Sequence, residues 1–461
     1  MKRVSLNIED FFELKSAVLY NAEKLKPISQ VTIDSRKVPS TSLFVAIKGE
    51  KFDGHDFLYE AVKKGASAVL INDDKLNSYD RIKVPIITVK DTTLALGELA
   101  GIWRDKLRTK IICITGSAGK TTTKEIIFTL LSGKYNVNKT LGNNNNHIGV
   151  PLTLLSTTNK HDFLVLELGT NHFGEIKYTA EIAKPDYAVI TNIGNSHLEF
   201  LKNKKGVLKE KSILFDITQS RNGMLFINNN DPMLANANDG YTNRVTFGFG
   251  CNADVKGEIS DYTKEGRPIV KIDYKRRKST YTIPLYGEQS AKNFLAASAI
   301  SLRIGLSTEE IKKRIARIRA VDKRLNIQRL KDFILINDTY NANPDSMKMS
   351  LELLSKIKIY PNHTAILGDM FELGKESRIL HEKLLNVVLK NRIDCVYTIG
   401  LSMKFLHEKL KTKNIHTLHF KERDSLKKFL TQKSFAGSVV LIKGSRGMKM
   451  EEFAEIINTS N

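Results

Sequence analysis

Cysteine is almost missing from this chain. Its three cysteines, Cys113, Cys251 and Cys395, lie far apart and form neither a disulfide framework nor a metal knuckle. That excludes a small disulfide-stapled scaffold and fits a reducing compartment. Long apolar runs are missing as well: no stretch approaches the eighteen or more apolar residues of a membrane span. The opening segment MKRVSLNIEDFFELK places acids where a secretory leader needs an apolar run. A cytoplasmic protein without membrane insertion is expected. Tryptophan occurs once, and no proline-rich or low-complexity linker interrupts the sequence. The net charge of +22 would suit nucleic acid, but it would equally suit small polyanions such as nucleotides. A single-strand-binding surface interleaves aromatics with its cations. Here the lysines are scattered through every segment, alongside abundant Asn and Ile, so no nucleic-acid partner is expected.

What is present is a long globular sequence. At 461 residues it exceeds one ordinary core, and 41% hydrophobic with 26% charged residues is the balance of a folded protein. The pattern divides into three α/β units. The first, residues 1–90, holds short β-like runs (SLFVAIKG, SAVLIND, VPIITVK) around one amphipathic helix, FLYEAVKKGA. In the second, residues 91–320, the helix TTLALGELAGIWRDKL leads into the strand KIICIT and a glycine-rich turn. Apolar runs (DFLVLELGT, YAVITNIGN, GMLFINNND) then alternate with helical stretches. Such runs, bounded by turn residues, indicate a mostly parallel sheet covered on both faces. Residues 245–286 switch to alternating strands rich in Thr, Tyr and Lys, which suggests a small antiparallel insert. The third unit, residues 321–461, repeats the strand–helix alternation in a Rossmann-like way with FILINDTYN, HTAILGDM, CVYTIG and SVVLIKGSR.

The turn ITGSAGKTTT (114–123) sits between a strand and a helix expected to start near Thr121, which is the context of a phosphate loop. Backbone N–H groups of Gly116, Ser117, Ala118 and Gly119 and the following helix N-terminus supply positive potential for phosphate oxygens. Lys120 reaches the outer phosphates, while Thr121, beside Thr122, offers a hydroxyl to Mg²⁺. The loop is two residues shorter than the general G-x-x-x-x-G-K-[ST] form. Glu167 ends the strand DFLVLELGT and His197 follows the strand YAVITNIGN, so both reach the carboxyl edge, where open α/β sheets bind ligands. Glu167 could complete the magnesium site or simply be a solvated strand end. For His197, a ligand role and a structural role are both open. The Asn-rich loop GNNNNHIGVPLT supplies Asn143, Asn145 and Asn146, either as a plain turn or as a polar binding loop. Three further strand ends carry polar groups: DTYNANPDSM, GDMFELGKES and KGSRGMKME.

Taken together, these segments resemble the Mur ligases of peptidoglycan synthesis, over essentially the whole chain. The short G-x-x-G-K-T loop is that superfamily's own form. GNNNNHIGVPLTLL, LELGTNHFGEI, ITNIGNSHLEFL, DTYNANPDSM, LGDMFELGKES with His381, and KGSRGMKME are similar to its motifs, and DSRKV…LFVAIKGEKFDGHDF is similar to its UDP-binding segment. The resemblance implies ATP-driven amide formation. ATP phosphates would lie on residues 116–122, a first Mg²⁺ on Thr121 and Glu167, and a second on His197 and a carbamylated lysine. Counting along HLEFLKNKKGVLKEKSILF places that lysine at Lys211, with Lys209 as the near alternative. Nucleotide contacts would come from Asn293, Arg324, Asp338, Tyr340 and Asn341. The family's usual His-Asn pair after Gly287-Glu288 is replaced here by Gln289-Ser290. The UDP-sugar would meet Ser35, Arg36, Lys48, Gly49, Asp53, Gly54 and His55. DTYNANP points to UDP-MurNAc-tripeptide and D-Ala-D-Ala as the substrates, on a monomer. A sister ligase adding diaminopimelate or lysine, or a folylpolyglutamate synthase, is the alternative.

Overall fold

The computed structural model describes residues 4–79 and 81–460, which build three sheets in chain order. The N-terminal sheet contains β1 (Val18–Tyr20), β2 (Gln30–Thr32), β3 (Ser42–Val45), β4 (Ala66–Asn72) and β5 (Ile86–Val89), in the order β1-β5-β4-β3-β2. All neighbours are parallel except β1 with β5. The expected helix in FLYEAVKKGA is Leu58–Lys63, entered through a 3₁₀ turn at Gly54–Phe57.

The central sheet has nine strands: β6 (Lys110–Thr115), β7 (Val137–Lys139), β8 (Phe163–Glu167), β9 (Tyr187–Ile190), β10 (Met224–Asn228), β11 (Arg244–Phe249), β12 (Val255–Tyr262), β13 (Pro268–Tyr274) and β14 (Arg277–Thr282). Their order is β14-β13-β12-β11-β10-β9-β6-β8-β7. β6 is apolar on both faces, as a covered parallel strand must be. Ile111 and Cys113 pack on one side, toward the helices Glu175–Ala183 and Lys204–Ser220, and Ile112 and Ile114 on the other against the helix Lys120–Leu131. The small antiparallel insert expected at 245–286 is present in part, joined to the central sheet. β11 pairs parallel with β10 and β12 parallel with β11, and only β12, β13 and β14 run antiparallel, so the segment lengthens the central sheet. Alternating polarity reported one wet face correctly, but it carries no information about strand direction.

The C-terminal sheet contains β15 (Asn326–Arg329), β16 (Ile334–Asp338), β17 (Asn362–Gly368), β18 (Cys395–Ile399), β19 (His416–Phe420) and β20 (Ser438–Lys443), ordered β15-β16-β20-β17-β18-β19. Only the edge strand β15 is antiparallel.

Both larger sheets reverse strand order at one place. β6 lies between β8 and β9, and β20 between β16 and β17. The loops on either side of such a reversal diverge and leave a crevice at the carboxyl edge. The two crevices face each other: Asp345, at the start of the helix after β16, accepts a hydrogen bond from Asn195 N after β9 at 2.7 Å. Among the described residues, no helix is long and apolar enough to cross a membrane.

Candidate active site

The loop after β6 needs its glycines. Gly116 has φ +145°, and a Cβ there would lie 1.9 Å from Thr191 Oγ1. Gly119 has φ +82°, and its Cβ would lie 2.3 Å from Asn293 Oδ1. Only glycine serves at both positions. The helix begins at Lys120, one residue earlier than expected. The loop after β9 holds the turn from one side: Ser117 N donates to Asn192 O at 3.0 Å, Ala118 N to Asn192 Oδ1 at 2.9 Å, and Thr191 Oγ1 to Ala118 O at 2.6 Å. Lys120 Nζ donates to Gly116 O at 2.8 Å. Burial lowers its pKa, and the neighbouring Glu167 carboxylate acts in the opposite sense.

Glu167 ends β8 and is buried, against the solvated strand-end alternative. Its Oε1 accepts from Thr121 Oγ1 at 3.1 Å and from Asn145 Nδ2 at 2.8 Å. Its Oε2 is buried without a hydrogen bond, 3.7 Å from Lys124 Nζ. A buried carboxylate oxygen left free beside a threonine hydroxyl fits a hard, oxygen-seeking dication such as Mg²⁺. Lys124 itself went unseen in the sequence. It is fully buried, and its ammonium donates to Thr140 O at 2.8 Å and Gly142 O at 3.3 Å, tying the Asn-rich loop to the phosphate-loop helix. That loop is ordered. Gly169 N donates to Asn145 O at 2.8 Å, and Asn146 Oδ1 accepts from Gly149 N at 2.9 Å.

His197 follows β9 with φ +53°, and its Nδ1 meets Glu372 Oε2 at 2.6 Å. That contact holds the Glu372 carboxyl below its usual range, since the imidazole hydrogen bond favours the charged form. Among the described residues no hydrogen bond involves His197 Nε2. Lys211 and Lys209 now separate: Lys209 is exposed, whereas Lys211 is 1% exposed on the helix Lys204–Ser220. Among the described residues the Lys211 ammonium has neither a hydrogen bond nor an ion pair. Burial drives its pKa well down, and Lys120 adds to the effect, so the neutral amine is favoured. The adjoining Glu210 is fully buried and caps another helix, accepting from Gly174 N and Ile176 N at 2.8 Å each.

These groups open onto a cavity of about 540 Å³ between the central and C-terminal units. Ser117, Ala118, Gly119, Lys120, Thr122, Asn143, Asn145, Asn146, Glu167, His197, Asn293, Arg324, Asp338, Tyr340 and Asn341 all line it. Gly116, Thr121 and Lys211 do not; Gly116 shapes the turn, and Thr121 is buried behind it on Glu167. Tyr340 lies between two guanidiniums, with Arg324 at 4.0 Å and Arg446 at 5.1 Å from its ring centroid. Arg324 Nε is buried without a partner, a donor ready for a ligand. The replacement pair has work within the fold. Gln289 Nε2 donates to Asn293 Oδ1 at 2.9 Å, and Ser290 Oγ to Tyr286 O at 2.6 Å.

Asp338 and the N-terminal residues expected at the UDP-sugar are held by the fold in different ways. The Asp338 carboxylate lines the cavity and is engaged by Lys443 Nζ at 2.5 Å, Ser350 Oγ at 2.6 Å and Leu325 N at 3.1 Å. It anchors the C-terminal crevice, and Lys443 is a second buried lysine missed in the sequence. Ser35, Arg36, Lys48, Gly49, Asp53, Gly54 and His55 lie outside this cavity, on the loops and the 3₁₀ turn of the N-terminal unit. Arg36 is paired bidentately with Asp34 at 2.8 and 2.9 Å. His55 is buried with both ring nitrogens taken, Nδ1 on Asp53 at 2.6 Å and Nε2 accepting from Asn72 N at 3.0 Å. Its ring therefore serves the fold.

A phosphate loop, a buried acid–hydroxyl pair and a two-unit cavity define a nucleotide-dependent enzyme. The three units match, in order, the Mur ligase family catalytic domain over residues 27–104, the Mur ligase middle domain over 114–301 and the Mur ligase glutamate ligase domain over 323–446. The chain belongs to the Mur ligase family. It is 34% identical over 456 residues, 98% of each chain, to the UDP-N-acetylmuramoyl-tripeptide–D-alanyl-D-alanine ligase of Bacillus subtilis (strain 168). It is also 34% identical to the Escherichia coli (strain K12) enzyme of the same name, over 97% of each chain. Its fold is similar to a crystal structure of MurF from Acinetobacter baumannii, with TM-score 0.88, 28% identity and 99% coverage of both chains. MurF ligase from Thermotoga maritima in complex with ADP superimposes with TM-score 0.81 at 29% identity, covering 94% of this chain and 97% of that one.

Proposed function

We propose that this protein joins D-alanyl-D-alanine to UDP-N-acetylmuramoyl-tripeptide with hydrolysis of ATP to ADP and phosphate. The observation that carries the reading is the cavity itself. One wall is a phosphate loop with a buried acid–hydroxyl pair, the other a guanidinium-flanked tyrosine, inside a chain aligned end to end with relatives named for this reaction.

The chemistry follows from these groups. The terminal carboxylate of the tripeptide attacks the γ-phosphorus of ATP, ADP leaves, and an acyl phosphate forms. The amine of D-Ala-D-Ala then attacks the acyl carbon, loses a proton and expels phosphate. Phosphoryl transfer depends on positioning and charge neutralisation, so no nucleophilic side chain is required. Lys120 and the helix N-terminus hold the phosphates, Arg324 and Tyr340 the nucleoside end, and Asn293 a donor oriented by Gln289. Thr121 and Glu167 would hold one Mg²⁺, and His197 with a carbamylated Lys211 a second. Bound there, the ions would neutralise charge on the transferring phosphoryl oxygens. A neutral buried amine is the form that reacts with CO₂, which supports carbamylation at Lys211. The UDP-sugar is assigned to the N-terminal segments bearing Arg36, Lys48 and Asp53, and the location to the cytoplasm, where ATP is made.

Phosphate release should need all three substrates. With ATP and UDP-MurNAc-tripeptide present, D-Ala-D-Ala should stimulate release at least ~10-fold over D-glutamate, lysine or diaminopimelate, because a site built to pair a substrate's polar groups rejects analogues lacking them. Equal stimulation by diaminopimelate or lysine would favour a sister ligase instead.

A further inference from the structure

The segment GDMFELG after β17 is not used by the phosphate loop, yet it is held by a dense set of hydrogen bonds. Ser445 N donates to Asp369 O at 2.9 Å, and Phe371 N to Ser445 Oγ at 2.8 Å. Met370 N donates to Nε2 of the buried His381 at 3.0 Å, while His381 Nδ1 lies 2.7 Å from Ser377 O. The Asp369 carboxylate accepts from Ser402 N and Met403 N, the latter at 2.7 Å. What this scaffold presents is Glu372. Its Oε2 lies 2.6 Å from His197 Nδ1, and its carbonyl accepts from Glu199 N at 3.1 Å. Nearby, Asp345 Oδ2 accepts from Asn195 N at 2.7 Å. Two carboxylates of the C-terminal unit therefore grip the one central loop that carries His197.

A carboxylate only accepts, so Nδ1 donates to it, and the neutral imidazole in that tautomer keeps the Nε2 lone pair. That is the tautomer a metal-bound imidazole needs, and metal-bound histidines are usually oriented by such a partner. We infer that Glu372 is a positioning residue for His197, reaching across the unit boundary so that the second metal position is complete only when the C-terminal unit is docked. The inference rests on the reading of His197 as a metal ligand. It couples docking of the unit that completes the nucleotide pocket to assembly of the metal site, so that hydrolysis of ATP in the undocked state is disfavoured.

The test uses Mn²⁺ as the probe, titrated into the full-length chain with ADP and followed by electron paramagnetic resonance. Glu372→Ala should weaken the second Mn²⁺ by ~10–100-fold, the range for removing the partner of a ligating histidine, and leave the first unchanged. Glu372→Gln keeps an acceptor oxygen and should lose less. His197→Ala is the control for the underlying reading: if it spares the second Mn²⁺, His197 is not a ligand. If His197→Ala removes that ion while both Glu372 variants retain wild-type affinity, the positioning role alone is overturned. Equal weakening of both ions by Glu372→Ala would also overturn it, since that marks general disruption.

Discussion

Lys120→Ala is expected to lose at least ~100-fold in turnover, the scale of one preorganised charge aimed at a transition state. The residue is well placed for this effect. It starts the phosphate-loop helix, so its cation adds to the N–H groups of the first turn, which have no partner within the helix. Burial lowers its pKa, and the Glu167 carboxylate opposes that shift and favours the ammonium. In the structure it rests on Gly116 O, 2.8 Å away, a contact that a phosphate oxygen can replace by rotation about the side chain. Removing it leaves phosphoryl charge uncompensated. Steady-state phosphate release at saturating substrates measures the loss. Near-normal turnover would remove Lys120 from the mechanism.

Lys211 carries the second large effect. Both Lys211→Ala and Lys211→Arg should lose at least ~100-fold, again on the scale of one fixed charged group. Arginine preserves the positive charge but cannot be carbamylated. Carbamate formation requires the neutral amine, which attacks CO₂ at carbon and releases a proton. Burial pushes the amine pKa down, so the neutral form prevails at lower pH than for a surface lysine. Acidification reprotonates the amine and disfavours the carbamate. Activity should therefore fall when CO₂ is stripped, fall further as the pH drops, and return on adding bicarbonate. With ¹³C-bicarbonate, the wild type should show a carbamate carbon resonance that Lys211→Arg lacks. Full activity of the arginine variant would exclude this chemistry.

The carboxyl edge was legible in the sequence for a simple reason. Apolar strands ending in Gly116, Glu167 and the segment before His197 each deliver a polar group where parallel strands stop. Less legible was which strands flank which. The placement of β6 between β8 and β9 decides that these three groups converge, and no local pattern encodes it. Buried cations were hidden for a different reason. Among 72 basic residues, Lys124 and Lys443 look like any surface lysine. Their partners, Glu167 and Asp338, lie 43 and 105 positions away, so only the fold reveals the pairs. Asp338 shows the complement: its motif marks a polar group at a strand end, and only the fold shows that Lys443 and Ser350 hold it there. Lys211 was reached through family resemblance and a count along the helix. Its burial, beside the exposed Lys209, now gives a physical reason for that choice.

The most direct measurement follows an oxygen atom. UDP-MurNAc-tripeptide labelled with ¹⁸O in its terminal carboxylate is incubated with ATP and D-Ala-D-Ala, and the released phosphate is analysed by mass spectrometry. If the carboxylate attacks ATP and the amine then expels phosphate, the bridging oxygen leaves with it. Each phosphate should then carry a single ¹⁸O from the peptide, and its release should require the dipeptide. Unlabelled phosphate, or phosphate released equally well without D-Ala-D-Ala, would contradict the account.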